Sequence, residues 1–339
     1  MSKEYSNYIK GVAILLMVCL HIFRSETEVA TLGNLFMIEG VPLVMYLRRM
    51  CNPVPFFLIV SGYGLYSVYS KWGGVKPLKR IVNLYVHLWL IYLIFVPLGS
   101  WVKPEFYPGS VASFIENATS WRCSYIGEQW FFFPYILLML ASKWIFKLFS
   151  RLRSYWVVII SIAVYALTVF VLKRYGEATL AGNMLFYNIF LAFYMLFPFA
   201  LGYLAKREQW MEKLSEMFSA GGLKHNWIII GLIILVCMGR CFVSHQAIDP
   251  FYTFAFVMLF SMLTIGEKAG GVLSFLGKYS MAIWLIHPWI CIRLFHQFVY
   301  DLHYPVVMYL FVLLTSIAIS QLVEAVYKQI DKRVLKRII

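Results

Sequence analysis

Charged residues are scarce in this chain: Asp, Glu, Lys and Arg make up 14% of its 339 residues, against roughly a quarter in soluble proteins. With 61% hydrophobic and 18% aromatic residues, that scarcity excludes a disordered chain, a nucleic-acid-binding module and most soluble enzymes. The six cysteines form no Cys-x-x-Cys and no paired spacing, which argues against a disulfide framework or a metal centre. Cys51 and Cys123 are the two candidates for a single pairing. No Gly-x-Ser-x-Gly elbow marks a serine nucleophile. No polar stretch is long enough for a separate soluble domain, so residues 1–339 read as one transmembrane domain. The net charge of +14 points to orientation in a membrane rather than to a nucleic-acid partner.

What the chain has in quantity is apolar runs of spanning length. They lie near 8–23, 53–70, 81–101, 129–149, 155–172, 183–204, 226–243, 250–266, 279–298 and 304–327. In hydrocarbon these ten must be helices, because open strands leave backbone groups unpaired. The expected fold class is therefore all-α, a polytopic bundle of about ten transmembrane helices. The first run follows Lys3 and Lys10 like a signal sequence but has no small-residue cleavage site after it, so it reads as a retained anchor. With both termini cytoplasmic, 21 of the 30 Lys and Arg fall on the inner side, as the positive-inside rule requires. The stretch 31–50 is interrupted by Glu39, Pro42, Arg48 and Arg49. It is expected to be an outer loop with an interfacial or re-entrant helix. The inner loop 205–225 carries an amphipathic piece around Trp210, Met211, Leu214, Met217 and Phe218, suited to the membrane surface. Asn117-Ala-Thr119 is a glycosylation sequon, relevant only in a eukaryotic secretory pathway.

Ionisable groups inside a span cost about 3 kcal/mol each on insertion scales, so each is a functional hypothesis. His21 lies eleven residues after Lys10, about 16 Å along a helix axis. Lys10 then sits at the inner interface and His21 toward the outside. An imidazole there can act as general base; an interfacial, headgroup-solvated His is the competing reading. Ser61-Gly62-Tyr63 lies in the second run, where close helix packing competes with a substrate contact. Lys76, Lys79 and Arg80 form a basic cluster at the inner face, fit for a phosphorylated ligand or for anionic lipid. Glu128 and Trp130 open the fourth run from outside, a carboxylate beside aromatics. His287, followed by Pro288, lies within the ninth run, and its polarity suggests a cavity.

The order of these elements resembles acyltransferase family 3, integral membrane proteins that include sugar and polysaccharide O-acetyltransferases. Lys10, ten intervening residues and His21 are similar to the family's N-terminal signature. Pro55 to Tyr63 resembles its Pro-x-Phe-Phe-x-x-Ser-Gly-Tyr element, with Leu58 in place of the second Phe. Leu276-Gly277-Lys278-Tyr279-Ser280 through Leu285-Ile286-His287-Pro288 resembles its C-terminal signature, and Trp130-Phe131 matches more loosely. The family also carries Arg-x-x-Arg before helix three; here Arg80 matches the first, Asn83 replaces the second, and His87 stands where Pro is usual.

The resemblance implies the stand-alone form, without a fused extracytoplasmic hydrolase-like domain. It implies an O-acyltransferase, most simply O-acetyl, in the cell's inner or plasma membrane. His21 would be the catalytic base, with Glu128 orienting it or holding the acceptor. Lys10, Lys76, Lys79 and Arg80 would bind the acyl donor, with the lysines substituting for the missing Arg. Ser61, Tyr63, Trp130 and His287 would contact substrate. Acetyl-CoA is then a co-substrate, with no tightly bound cofactor. The other expected partners are the bilayer and a glycan or sugar acceptor, and no nucleic acid. Transfer would be direct or through an acyl intermediate. The alternatives are a secondary transporter or exporter, disfavoured because the two halves share no evident repeat, and a non-catalytic membrane partner.

Overall fold

A segment in hydrocarbon must satisfy its own backbone polar groups, and this chain does so almost entirely as helix. The computed structural model describes residues 1–33, 36–180 and 182–335. Ten helices carry the fold: α1 (Lys3–Ile22), α2 (Val54–Trp72), α3 (Leu78–Val102), α4 (Phe132–Phe149), α5 (Ser154–Leu180, broken at Gly176), α6 (Met184–Arg207), α7 (Asn226–Phe242), α8 (Asp249–Phe260), α9 (Glu267–Pro288) and α10 (Pro305–Ile330). Their ends follow ordinary capping chemistry. Ser2 and Asn183 accept backbone N–H bonds at the starts of α1 and α6, Pro305 opens α10, and Gly73 closes α2 in the left-handed region at φ 65°. The only strands among the described residues are Met37–Ile38 and Val41–Pro42, paired antiparallel.

Each of the ten expected runs holds a helix, but they are not equal. Among the described residues eight helical segments are long and apolar enough to cross a membrane, while α7 and α8 are shorter. Their 17 and 12 residues rise about 25 and 18 Å, against a hydrocarbon core of about 30 Å. The expected run 250–266 also ends early, at Phe260. The physical reason is at the base of the α7–α8 hairpin: Asn226 donates to the Thr264 carbonyl (2.8 Å) and accepts from the Thr264 N–H (2.9 Å), holding 264 out of helix. Because both ends of this hairpin lie together, the direction of α9 and α10 does not depend on how far its tip reaches. The 31–50 stretch holds the strand pair and a seven-residue helix, Leu43–Arg49, too short to cross. The inner amphipathic piece is a surface helix, Trp210–Ala220, with Met211 buried and Met217 exposed. Lys336 and Arg337, counted above for orientation, lie outside the described residues. Cys51 and Cys123 are both free thiols; the Cys51 thiol donates to the Leu47 carbonyl.

Two helix pairs pack backbone to backbone through glycine. A Cβ on Gly62 would collide with the Phe199 carbonyl, and one on Gly202 with the Ile59 carbonyl, so α2 and α6 touch directly. Likewise Gly11 meets the Leu273 carbonyl and Gly277 the Asn7 carbonyl, locking α1 against α9. Small residues at such contacts let helices approach where no hydrophobic drive separates helix from lipid. α1 and α9 run parallel, because Tyr8 lies against Gly270 toward one end of the pair and His21 meets His287 toward the other. α1 and α9 therefore start on one face, called here the N-terminal face, and end together on the opposite face.

Gly62→Ala and Gly277→Ala should each destabilise the protein by about 1–3 kcal/mol through overpacking. Gly231→Ala, with open space around it, should stabilise α7 by about 1 kcal/mol through helix propensity. Thermal unfolding midpoints in detergent check the opposite signs.

Candidate active site

The α1–α9 register decides what meets at the far end of the pair. His21 and His287 are 266 residues apart in sequence, and the two glycine contacts sit one turn to either side of that offset. The result is a direct hydrogen bond, His21 Nδ1 to His287 Nε2, at 2.7 Å, with the rings near-parallel at 14°. His287 is fully buried, and its Nδ1 lies 2.8 Å from the Ile283 carbonyl. A carbonyl only accepts, so in the neutral ring the His287 proton is on Nδ1 and Nε2 holds a lone pair. His21 must then donate from Nδ1, which leaves its own Nε2 as a free lone pair. The assignment follows from the hydrogen bonds alone. Pro288 ends regular α-helix immediately after, and the chain continues as a π-helical turn, Trp289–Leu294; such turns recur at functional sites.

His21 lines a cavity of about 410 Å³ on the far face. Arginines fix its walls. Arg48 donates to the Leu20 carbonyl (3.3 Å) and Arg49 to the Cys241 carbonyl (2.9 Å), capping the ends of α1 and α7. At the hairpin tip Asp249 accepts from Arg240 (2.6 Å) and Asn52 (2.7 Å), all inside the bundle. Glu128 and Trp130 line the same space. Glu128 Oε1 is 3.7 Å from Arg24, and its Oε2 is buried without a partner. Glu128 does not reach His21; the residue that does is His287. The loop carrying Glu128 is held by Gln129, which accepts from Tyr92 (2.8 Å), and by Asn117. The sequon asparagine is fully buried, donating to the Ser113 carbonyl and Ser124 and accepting from the Tyr125 N–H, so its side chain is a scaffold and not a glycan acceptor in the folded chain.

A second cavity, about 720 Å³, opens on the N-terminal face. Lys3, Lys10, Arg80 and Lys278 line it, as do Ser61 and Tyr63. The Ser61 hydroxyl is 2.7 Å from that of Tyr135. Carboxylates are missing from this lining, so the four cations make an anion-seeking mouth. Of the expected donor residues, Lys10 and Arg80 are therefore together, while Lys76 and Lys79 are exposed and outside the lining. Asn83 faces away: its side chain accepts from Tyr327 (2.6 Å) and its carbonyl accepts from His87, tying α3 to α10. The expected substrate residues divide as well, with Ser61 and Tyr63 in the N-terminal cavity, Trp130 in the far one and His287 on His21. Lys3 and Lys278 were read from sequence only as topology charges. The signal available for Lys278 was its place inside the 276–288 element.

A model of the acyltransferase domain family matches residues 3–325 of the chain. The protein belongs to acyltransferase family 3. No curated protein and no solved structure matches it. With its apolar helices, this acyltransferase is a multi-pass membrane protein.

Asp249→Ala in the acyltransferase should cost about 3–5 kcal/mol by leaving Arg240 buried and unpaired, and the Arg240→Met, Asp249→Leu double variant should recover most of it. Thermal midpoints of the three proteins check this.

Proposed function

We propose that this acyltransferase moves an acyl group, acetyl in the simplest case, from acyl-CoA to a hydroxyl of a cell-surface glycan or sugar precursor, with His21 as general base. The carrying observation is the His287 to His21 hydrogen bond, which leaves the lone pair of His21 Nε2 unclaimed on a residue that lines the cavity of the face opposite the cations. Coenzyme A is a polyanion and enters at Lys10, Arg80, Lys3 and Lys278, where charge-assisted bonds to phosphate are strongest. The 21-to-9 distribution of Lys and Arg supports a cytosolic mouth, and the membrane in this reading is the inner or plasma membrane. The acceptor comes from the other side, where the unpartnered Glu128 Oε2 accepts a bond from a second hydroxyl and Trp130 offers an aromatic face.

In the reaction His21 Nε2 takes the hydroxyl proton as the oxygen attacks the thioester carbon. The tetrahedral intermediate collapses with cleavage of the carbon–sulfur bond. The thiolate then takes the proton from His21, giving the ester and free CoA. His287 acts by position: its Nε2 accepts from His21 Nδ1–H throughout and favours the imidazolium as it forms. The family match supports this reading over a transporter.

With labelled acetyl-CoA and membranes, His21→Ala should lower label transfer to glycan by 10²- to 10⁴-fold, the usual range for a lost general base. His287→Ala should fall less, and His287→Gln, whose amide oxygen can still accept from Nδ1, should recover part of it. Full activity in His21→Ala rejects the assignment. Lys10→Ala, Arg80→Ala and Lys278→Ala combined should raise the KM for acetyl-CoA at least tenfold, whereas Lys76→Ala with Lys79→Ala should change it less than threefold.

A further inference from the structure

The two cavities approach each other but stay separate, and one side chain lines both. Phe131 belongs to the wall of the N-terminal cavity and to the wall of the His21 cavity. Its ring stacks on Trp284, centroids 4.1 Å apart and 19° from parallel, and both side chains are buried. Trp284 is itself latched, its indole N–H donating to the Glu128 carbonyl at 3.1 Å. Along α9, Lys278, Met281 and Trp284 line the N-terminal cavity, and His287 is the next residue at the same three-residue step. The wall thus rises about 13 Å from its cationic mouth to the histidine pair. A group travelling up that wall meets the Phe131–Trp284 stack before it meets His21.

We infer that the Phe131–Trp284 stack is the partition between the donor and acceptor cavities and sets which acyl groups pass to His21. This rests on the donor reading given above. The chemistry follows from size. The phosphates stay at the mouth with the cations, the thioester comes up to the stack, and only a short acyl group fits past two packed aromatic rings. Rings at this spacing also keep the water of the far cavity from the donor side, a requirement for any group-transfer site that must avoid hydrolysis. Phe131 is the more informative position to change, because Trp284 also holds the Glu128 loop.

Two measurements test it. In a cysteine-free background carrying His21→Cys, a small membrane-impermeant thiol reagent should label the introduced thiol from the far face only, and from both faces once Phe131→Ala is added. Labelling from the N-terminal face with Phe131 intact, or none with Phe131→Ala, overturns the partition. This readout needs no donor, so it decides the partition even if acyl-CoA is not the donor. In the acyltransferase with His21 intact, Phe131→Ala should raise the kcat/KM ratio of hexanoyl-CoA to acetyl-CoA at least tenfold, and Phe131→Trp should lower the ratio of butanoyl-CoA to acetyl-CoA. If the Ala protein fails to fold, Phe131→Leu should shift the ratio in the same direction by less. An unchanged chain-length profile in a folded Phe131 variant, or loss of transfer with every acyl-CoA, overturns the selectivity role. Failure of every acyl-CoA with unaltered Phe131 instead overturns the donor reading.

Discussion

A hydrogen bond between two neutral imidazoles is only as well defined as the distance between the helices that carry them. Here that distance is set by Gly11 and Gly277, which bring the α1 and α9 backbones into contact. A side chain at either position would push the pair apart near its base. The shift would be carried along the two helices to His21 and His287. The Ile283 carbonyl completes the arrangement by fixing the proton of His287 on Nδ1. Three elements, a backbone carbonyl and two rings, thus determine which nitrogen of His21 is free, without a carboxylate bonded to either ring. In a low-dielectric interior an ionised partner would bring its own desolvation cost; an imidazole orients its neighbour without it.

The remaining polar groups of the bundle are arranged around the same constraint. On the N-terminal face the cations line open space with no carboxylate in the lining. On the far face the arginines are committed to helix ends and to Asp249, so they build walls and do not compete for an anionic ligand. Glu128 Oε2 is left without a partner. A buried polar atom without a bond is costly, and Glu128 is among the residues that line the far cavity. The two faces therefore differ in what they can recognise, and the aromatic stack of Phe131 and Trp284 stands between them.

Much of this was legible in the sequence. The apolar runs located the ten helices that carry the fold, though among the described residues only eight segments are long and apolar enough to cross a membrane, and the polar interruptions of 31–50 kept that stretch out of the expected spans. Spacing alone put Lys10 and His21 at different depths of one helix, and they line different cavities. The pairing of His21 with His287 was not legible, because nothing local in either helix encodes a contact between residues so far apart; the glycines that set the register look like any others in a span. Glu128 was the nearer guess as a partner for His21, since carboxylates commonly orient histidines, but its backbone is held by Trp284 at a distance. Lys76 and Lys79 looked equivalent to Arg80 because charge clusters in sequence carry no direction. Asn117 read as a sequon that would matter only in a eukaryotic secretory pathway, yet three hydrogen bonds hold its side chain inside the loop. The α7–α8 hairpin was overextended because hydropathy does not register the Asn226–Thr264 bonds that close it.

The central claim is that donor and acceptor meet at one imidazole from opposite sides of the membrane. The most direct measurement uses proteoliposomes of a single protein orientation, with labelled acetyl-CoA confined to one side and the glycan acceptor to the other. The account predicts labelled glycan only when acetyl-CoA is on the side of the N-terminal face. Equal labelling with the two compartments exchanged, or labelling only when donor and acceptor share a side, would contradict it.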